Sequence, residues 1–76
     1  MATAVEIAVH AQGVQNLRAI VNGMHPLELR VAAAKALGRA GGQDALAVLV
    51  AVLNGLNPIE LREAAAYGIG EAARGK

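Results

Sequence analysis

Two stretches decide how this chain folds: Pro26–Gly38, reading PLELRVAAAKALG, and Pro58–Gly70, reading PIELREAAAYGIG. They stand 32 residues apart, and the match continues upstream without a gap. Gln12–Pro26 (QGVQNLRAIVNGMHP) runs against Asp44–Pro58 (DALAVLVAVLNGLNP). Leu17 falls on Leu49, Ala19 on Ala51, Asn22-Gly23 on Asn54-Gly55, and Arg30 on Arg62. Self-similarity at one fixed spacing of this size is the mark of an array of supersecondary units, each burying its apolar face against its neighbours.

Each unit reads as two helices. The first starts at a proline, Pro26 or Pro58, because a residue without an N–H suits the first helical position. Asn57 is a good N-cap ahead of it, and His25 a poorer one. Glu28 and Glu60 fall in the first turn, where the helix dipole favours negative charge. Leu29, Ala33, Ala36 and Leu37 recur at helical spacing and predict the inward face, repeated by Leu61, Ala65, Gly68 and Ile69. Arg30 and Arg62, one turn inside, are expected to pair with a neighbouring glutamate. Gly41-Gly42 breaks the chain. A second helix is predicted from about Gln43 to Asn54, with Leu46, Leu49, Val50 and Leu53 inward, and Gly55 is expected to end it in the left-handed conformation. Upstream, Thr3-Ala4-Val5-Glu6 has capping-box spacing. One long helix to about Val21 is favoured over a break near Gln12-Gly13, since a glycine inside a helix costs only about 1 kcal/mol relative to alanine. The expectation is an all-α chain of about four helices without strands. It is one domain over residues 1–76: a partial N-terminal unit 3–25, a repeat 26–57 and a partial repeat 58–76.

Composition agrees. Hydrophobic residues make up 55% of the 76, yet Tyr67 is the one aromatic residue. Alanine, leucine and valine dominate, which favours thin helices in close approach over a sheet core. Cysteine is absent, so there is no disulfide and no thiolate metal site, in keeping with a reducing compartment. Seven basic and six acidic residues give a net charge of +1 without a basic run, a poor match to nucleic acid. The first ten residues lack a positively charged leader region and contain Glu6, and no apolar run of spanning length occurs. A cytoplasmic protein without a membrane span is expected.

Sites of chemistry are scarce. Glu6 and His10 lie one helical turn apart but supply only two of the ligands a metal needs, so a solvated pair is the expectation. His25 precedes Pro26 and reads as a turn or cap residue. With no serine, no cysteine and one threonine, nucleophilic catalysis through Ser or Cys is impossible, so no enzyme activity and no cofactor are expected. Gly41-Gly42 lacks the lysine and the flanking strand of a phosphate loop. Lys35, Arg39, Glu63, Glu71 and Arg74 read as a solvated face.

The run from Leu29 to Gly70 resembles the HEAT-like repeat of the phycobilisome-lyase type. The elements that carry the likeness are Leu29-Arg30, the Ala-rich helix closing on Ala36-Leu37-Gly38, the short turn, and Ala45 to Leu49; Leu61-Arg62 and Gly68-Ile69-Gly70 repeat the first two. The resemblance covers Gln12 to about Ala73 and implies a short α-α superhelix with a 32-residue period. One departure is the helix-linking turn, where the family carries an aspartate that pairs with the arginine and this chain has His25 and Asn57. Functionally, the resemblance implies an adaptor or scaffold that binds another protein, a phycobiliprotein or other photosynthetic component being the partner it suggests. The alternative is a small non-catalytic subunit of a bilin lyase or other enzyme complex.

Two units bury less than an array normally needs, so some apolar surface should stay open. The second-helix positions Ala47, Val48, Ala51 and Asn54, with Gln15, Ala19 and Asn22 of the first unit and Tyr67, are the expected protein-binding residues. A homodimer through the end faces is a further expectation.

Overall fold

Thr3 opens the first helix as its spacing foretells. Its Oγ1 accepts the Glu6 N–H at 3.1 Å, and a Glu6 carboxylate oxygen accepts the Thr3 N–H at 2.8 Å. The computed structural model describes residues 3–74. Four helices follow one another: α1 (Ala4–Asn22), α2 (Leu27–Ala40), α3 (Gly42–Asn54) and α4 (Ile59–Arg74). No strand occurs among the described residues. Gly13 sits inside α1 without breaking it. The α2–α4 contact is the most extensive; α3 packs on α4 and α1 on α2, while α1 and α3 barely touch.

The core is made of small aliphatic residues: Val14 and Val21 from α1, Ala33, Ala34 and Leu37 from α2, Ala45, Leu49 and Val52 from α3, and Leu61, Ala64 and Ala65 from α4. No polar or charged side chain is buried with them among the described residues. Glycine is what lets α2 and α4 come so close. A Cβ built on Gly38 would stand 2.5 Å from the Cα of Gly68, and one on Gly68 would stand 3.0 Å from a methyl of Leu49.

Several sequence expectations need correction. Leu29 is not inward: it is 44% exposed, whereas Leu61, its match, is fully buried. The difference is what lies in front, since α4 packs on both α2 and α3, whereas the matching side of α2 is left partly open. Val50 is also exposed, and the inward stripe of α3 is Ala45, Leu49 and Val52, with Leu53 only partly buried. That helix is apolar nearly all round, so its spacing alone does not select a face.

The junctions also differ. Pro26 is the N-cap of α2 rather than its first residue, and no side chain caps that end. The carbonyl of Pro26 accepts the N–H groups of Leu29 and Arg30, and that of Pro58 those of Leu61 and Arg62. Asn57 works backward instead of forward: its Nδ2 donates to the carbonyl of Val52 at 2.9 Å, closing the end of α3. Gly55 is extended, with φ −92°, not left-handed. Among the described residues the positive φ values belong to Gly41 (69°) and Gly42 (89°), where α2 turns into α3.

The arginines depart from expectation in the same way. Neither Arg30 nor Arg62 pairs with a glutamate. The Nε–H of Arg30 donates to the carbonyl of Val21 at 2.8 Å, and that of Arg62 to the carbonyl of Leu53 at 2.9 Å. Each guanidinium thus reaches back nine residues to the final turn of the preceding helix. There the free carbonyls and the negative end of the dipole favour a cation. Among the described residues the ion pair is Arg74 with Glu71, within α4 on the surface.

Candidate functional site

Because α1 and α3 both pack against the α2–α4 layer but hardly meet each other, a groove runs between them. Its volume is about 380 Å³, and its lining is Val14, Gln15, Arg18, Asn22, Asp44, Ala47, Val48 and Ala51. Five of the sequence-predicted binding residues meet here: Gln15 and Asn22 on one wall, Ala47, Val48 and Ala51 on the other. Helical spacing brings them together, since Gln15, Arg18 and Asn22 lie three and four residues apart on α1, and Ala47 and Val48 lie four and three residues before Ala51 on α3.

The other three predicted residues do not line it. Ala19 and Asn54 are exposed but outside the groove wall. Tyr67 is on another surface altogether. It lies on α4, 54% exposed, over a shallow depression shared with Val31, Lys35, Glu60, Glu63 and Ala64.

Sequence reasoning missed three lining residues: Val14, Arg18 and Asp44. Arg18 and Asp44 bring opposite charges to a groove whose α3 wall is otherwise alanine and valine. A search for bland positions passes over both, because charged residues on a helix are ordinarily read as solvated. The helical interval Val14–Arg18 was the available signal.

Chemically the groove offers an apolar floor, two amide side chains, one cation and one anion. Glu6 and His10 are exposed on the first turns of α1. The Glu6 carboxylate is held below the ordinary glutamate range by the Thr3 backbone N–H first and the Thr3 hydroxyl second. It is engaged in the cap and exposed to solvent, and His10 one turn on is exposed as well. Among the described residues no three His, Asp or Glu side chains gather into a cluster that would hold a metal ion. None of the described helices is long and apolar enough to cross a membrane.

More apolar side chains stand in the open. Val5, Ile7 and Val9 project from the first half of α1, and Met24 and Leu56 tip the loops before α2 and α4. Compared with protein-family models, curated proteins and solved structures, the chain matches none.

Proposed function

We propose that this chain is a short array of HEAT-like repeats that binds another protein through the groove between α1 and α3, without catalysing a reaction. The observation that carries the reading is the groove, where Gln15, Asn22, Ala47, Val48 and Ala51, five of the eight residues expected from sequence to bind protein, line one depression. The repeat reading is supported by the 32-residue match and by two backbone-directed hydrogen bonds at the same spacing, Arg30 to Val21 and Arg62 to Leu53. In a stack of this kind such a groove is the concave surface on which partners bind.

The chemistry that fits the groove is a polypeptide segment with a small apolar stretch between an acidic and a basic residue, the acid meeting Arg18 and the base meeting Asp44. Affinity comes from excluding water from the alanine and valine wall, and the two charges fix direction. The family resemblance makes a phycobiliprotein the first partner to try.

The test uses a displayed peptide library panned against the immobilised chain, with purified phycobiliprotein as a second ligand. Segments enriched on the wild type should lose at least about tenfold in affinity, roughly 1.4 kcal/mol, when Ala47→Glu or Ala51→Glu is introduced. Both positions are exposed, so circular dichroism should stay unchanged. No enrichment, or binding indifferent to both substitutions, sinks the reading.

A further inference from the structure

Building on the repeat reading above, we propose that the chain associates head to tail with further copies of itself. The outer face of α2 in one copy seats on the outer face of α4 in the next, reproducing the α2–α4 contact that each copy already makes internally.

The internal contact supplies the template. In it, Gly68 of α4 lies against Ala34 and Gly38 of α2, and Ala64 of α4 borders Val31 of α2; Leu61, Ala64, Ala34 and Gly38 are all buried. The sequence match places the same surfaces a second time, facing outward. Thirty-two residues before Leu61 and Ala64 stand Leu29 and Ala32 on α2, both exposed. Thirty-two residues after Ala34 and Gly38 stand Ala66 and Gly70 on α4, both exposed. Gly38 has the Gly68 backbone against it, whereas a Cβ on Gly70 would meet nothing within 4 Å. One molecule therefore carries both halves of a contact, each half bare, at its two ends.

Ala36 stands where the internal contact has Gly68, so the junction between copies sits slightly wider, and another departure between the matched stretches favours the same pairing. Internally, Val31 of α2 and Tyr67 of α4 border one depression. At the junction between copies, Glu63 takes the place of Val31, and Lys35 of the next copy takes the place of Tyr67. An apolar pair inside the chain becomes an acid facing a base between chains. Tyr67 itself then lies where Lys35 lies internally, bordered by Glu28, Val31 and Ala32 of the next copy. Its exposed ring gains a cover, and the sole aromatic residue becomes the reporter of assembly.

The two faces are different surfaces, so the contact is heterologous. It extends into a filament or closes into a ring according to the rotation per step. It leaves the α1–α3 groove open for a partner.

The experiment is light scattering coupled to size-exclusion chromatography on the full chain over a dilution series, with acrylamide quenching of Tyr67 fluorescence in parallel. The wild type should rise above 7.7 kDa and past the dimer as concentration increases, with Tyr67 becoming less quenchable. Gly70→Arg blocks the α4 face and Ala32→Arg the α2 face. Each variant alone should remain monomeric with unchanged helicity. An equimolar mixture of the two should give a heterodimer of twice the chain mass that grows no further, since each retains the face the other lacks. A wild type monomeric at millimolar concentration overturns the proposal. So does a closed dimer abolished by only one of the two substitutions, which is the signature of a symmetric interface. Neither result touches the groove, whose test rests on Ala47 and Ala51.

Discussion

Gly38 and Gly70 occupy matched positions in the two stretches that define this chain, yet packing gives them opposite roles. Gly38 is pressed against the backbone of Gly68, and Gly70 faces open space. Alanine at 38 should cost about 1–3 kcal/mol, the usual range for forcing a methyl into a filled contact. Alanine at 70 should stabilise by about 0.5–1 kcal/mol, because it relieves the entropy cost of glycine inside a helix. Urea denaturation at a concentration where the chain is monomeric checks the pair; equal signs would contradict the α2–α4 contact. Glu6 gives a second expectation at this scale. Its carboxyl is held low by Thr3, so the capping contribution is complete above the unfolded glutamate pKa and is lost as pH falls through the lower folded value. A carboxyl-carbon NMR titration should find Glu6 protonating below the ordinary glutamate range, and Thr3→Ala, which removes the hydroxyl and keeps the backbone N–H, should shrink the displacement without abolishing it. Sequence alone disclosed this cap, because a Thr and a Glu three residues apart define it. It did not disclose which glycine is crowded, because that depends on which face another helix covers.

The helices are closed off by side chains that belong to their successors. Arg30 on α2 finishes α1, Arg62 on α4 finishes α3, and Asn57 joins the second of these. Removing Arg30 should cost about 1.5–3 kcal/mol, the range for a hydrogen bond to a charged donor, since its bond is partly buried. Arg62→Ala should cost less, its bond being exposed to solvent. Lysine restores the charge but not the Nε–H fork, so it should recover only part of the loss in a thermal melt. Four helices and their approximate limits were legible because proline, glycine and the capping pair punctuate the chain. The arginine contacts were not, because a glutamate one turn away is always a plausible partner on paper, whereas the free carbonyls of a neighbouring helix appear only once its end is placed beside the guanidinium. Nor was the inward stripe of α3 legible. Leu46, Val50 and Leu53 repeat at the same intervals as Ala45, Leu49 and Val52, and with apolar residues on both stripes only the position of α4 selects between them.

At the scale of the molecule, the binding groove was half legible. Small side chains on α3 and the matched Gln15 and Asn22 on α1 flagged residues of both walls, but Val14, Arg18 and Asp44 were missed, and the spacing between α1 and α3 follows from how each sits on the α2–α4 layer. Tyr67 was grouped with that surface for its chemistry alone, and the fold puts it elsewhere.

The apolar residues left in water also shape how the chain responds to temperature. Met24 and Leu56 are as hydrated in the fold as in an extended chain, at 104% and 107% exposure, and Val5, Ile7 and Val9 keep most of their surface wet. Unfolding therefore uncovers little new hydrocarbon at these positions. The heat-capacity increment should fall below the usual value of about 12–15 cal/mol/K per residue, a deficit that differential scanning calorimetry on dilute protein reads directly. A small increment flattens the dome of free energy against temperature. The monomer would melt over a broad interval and lose little stability on cooling, whereas burying those same residues in an assembly would restore the curvature.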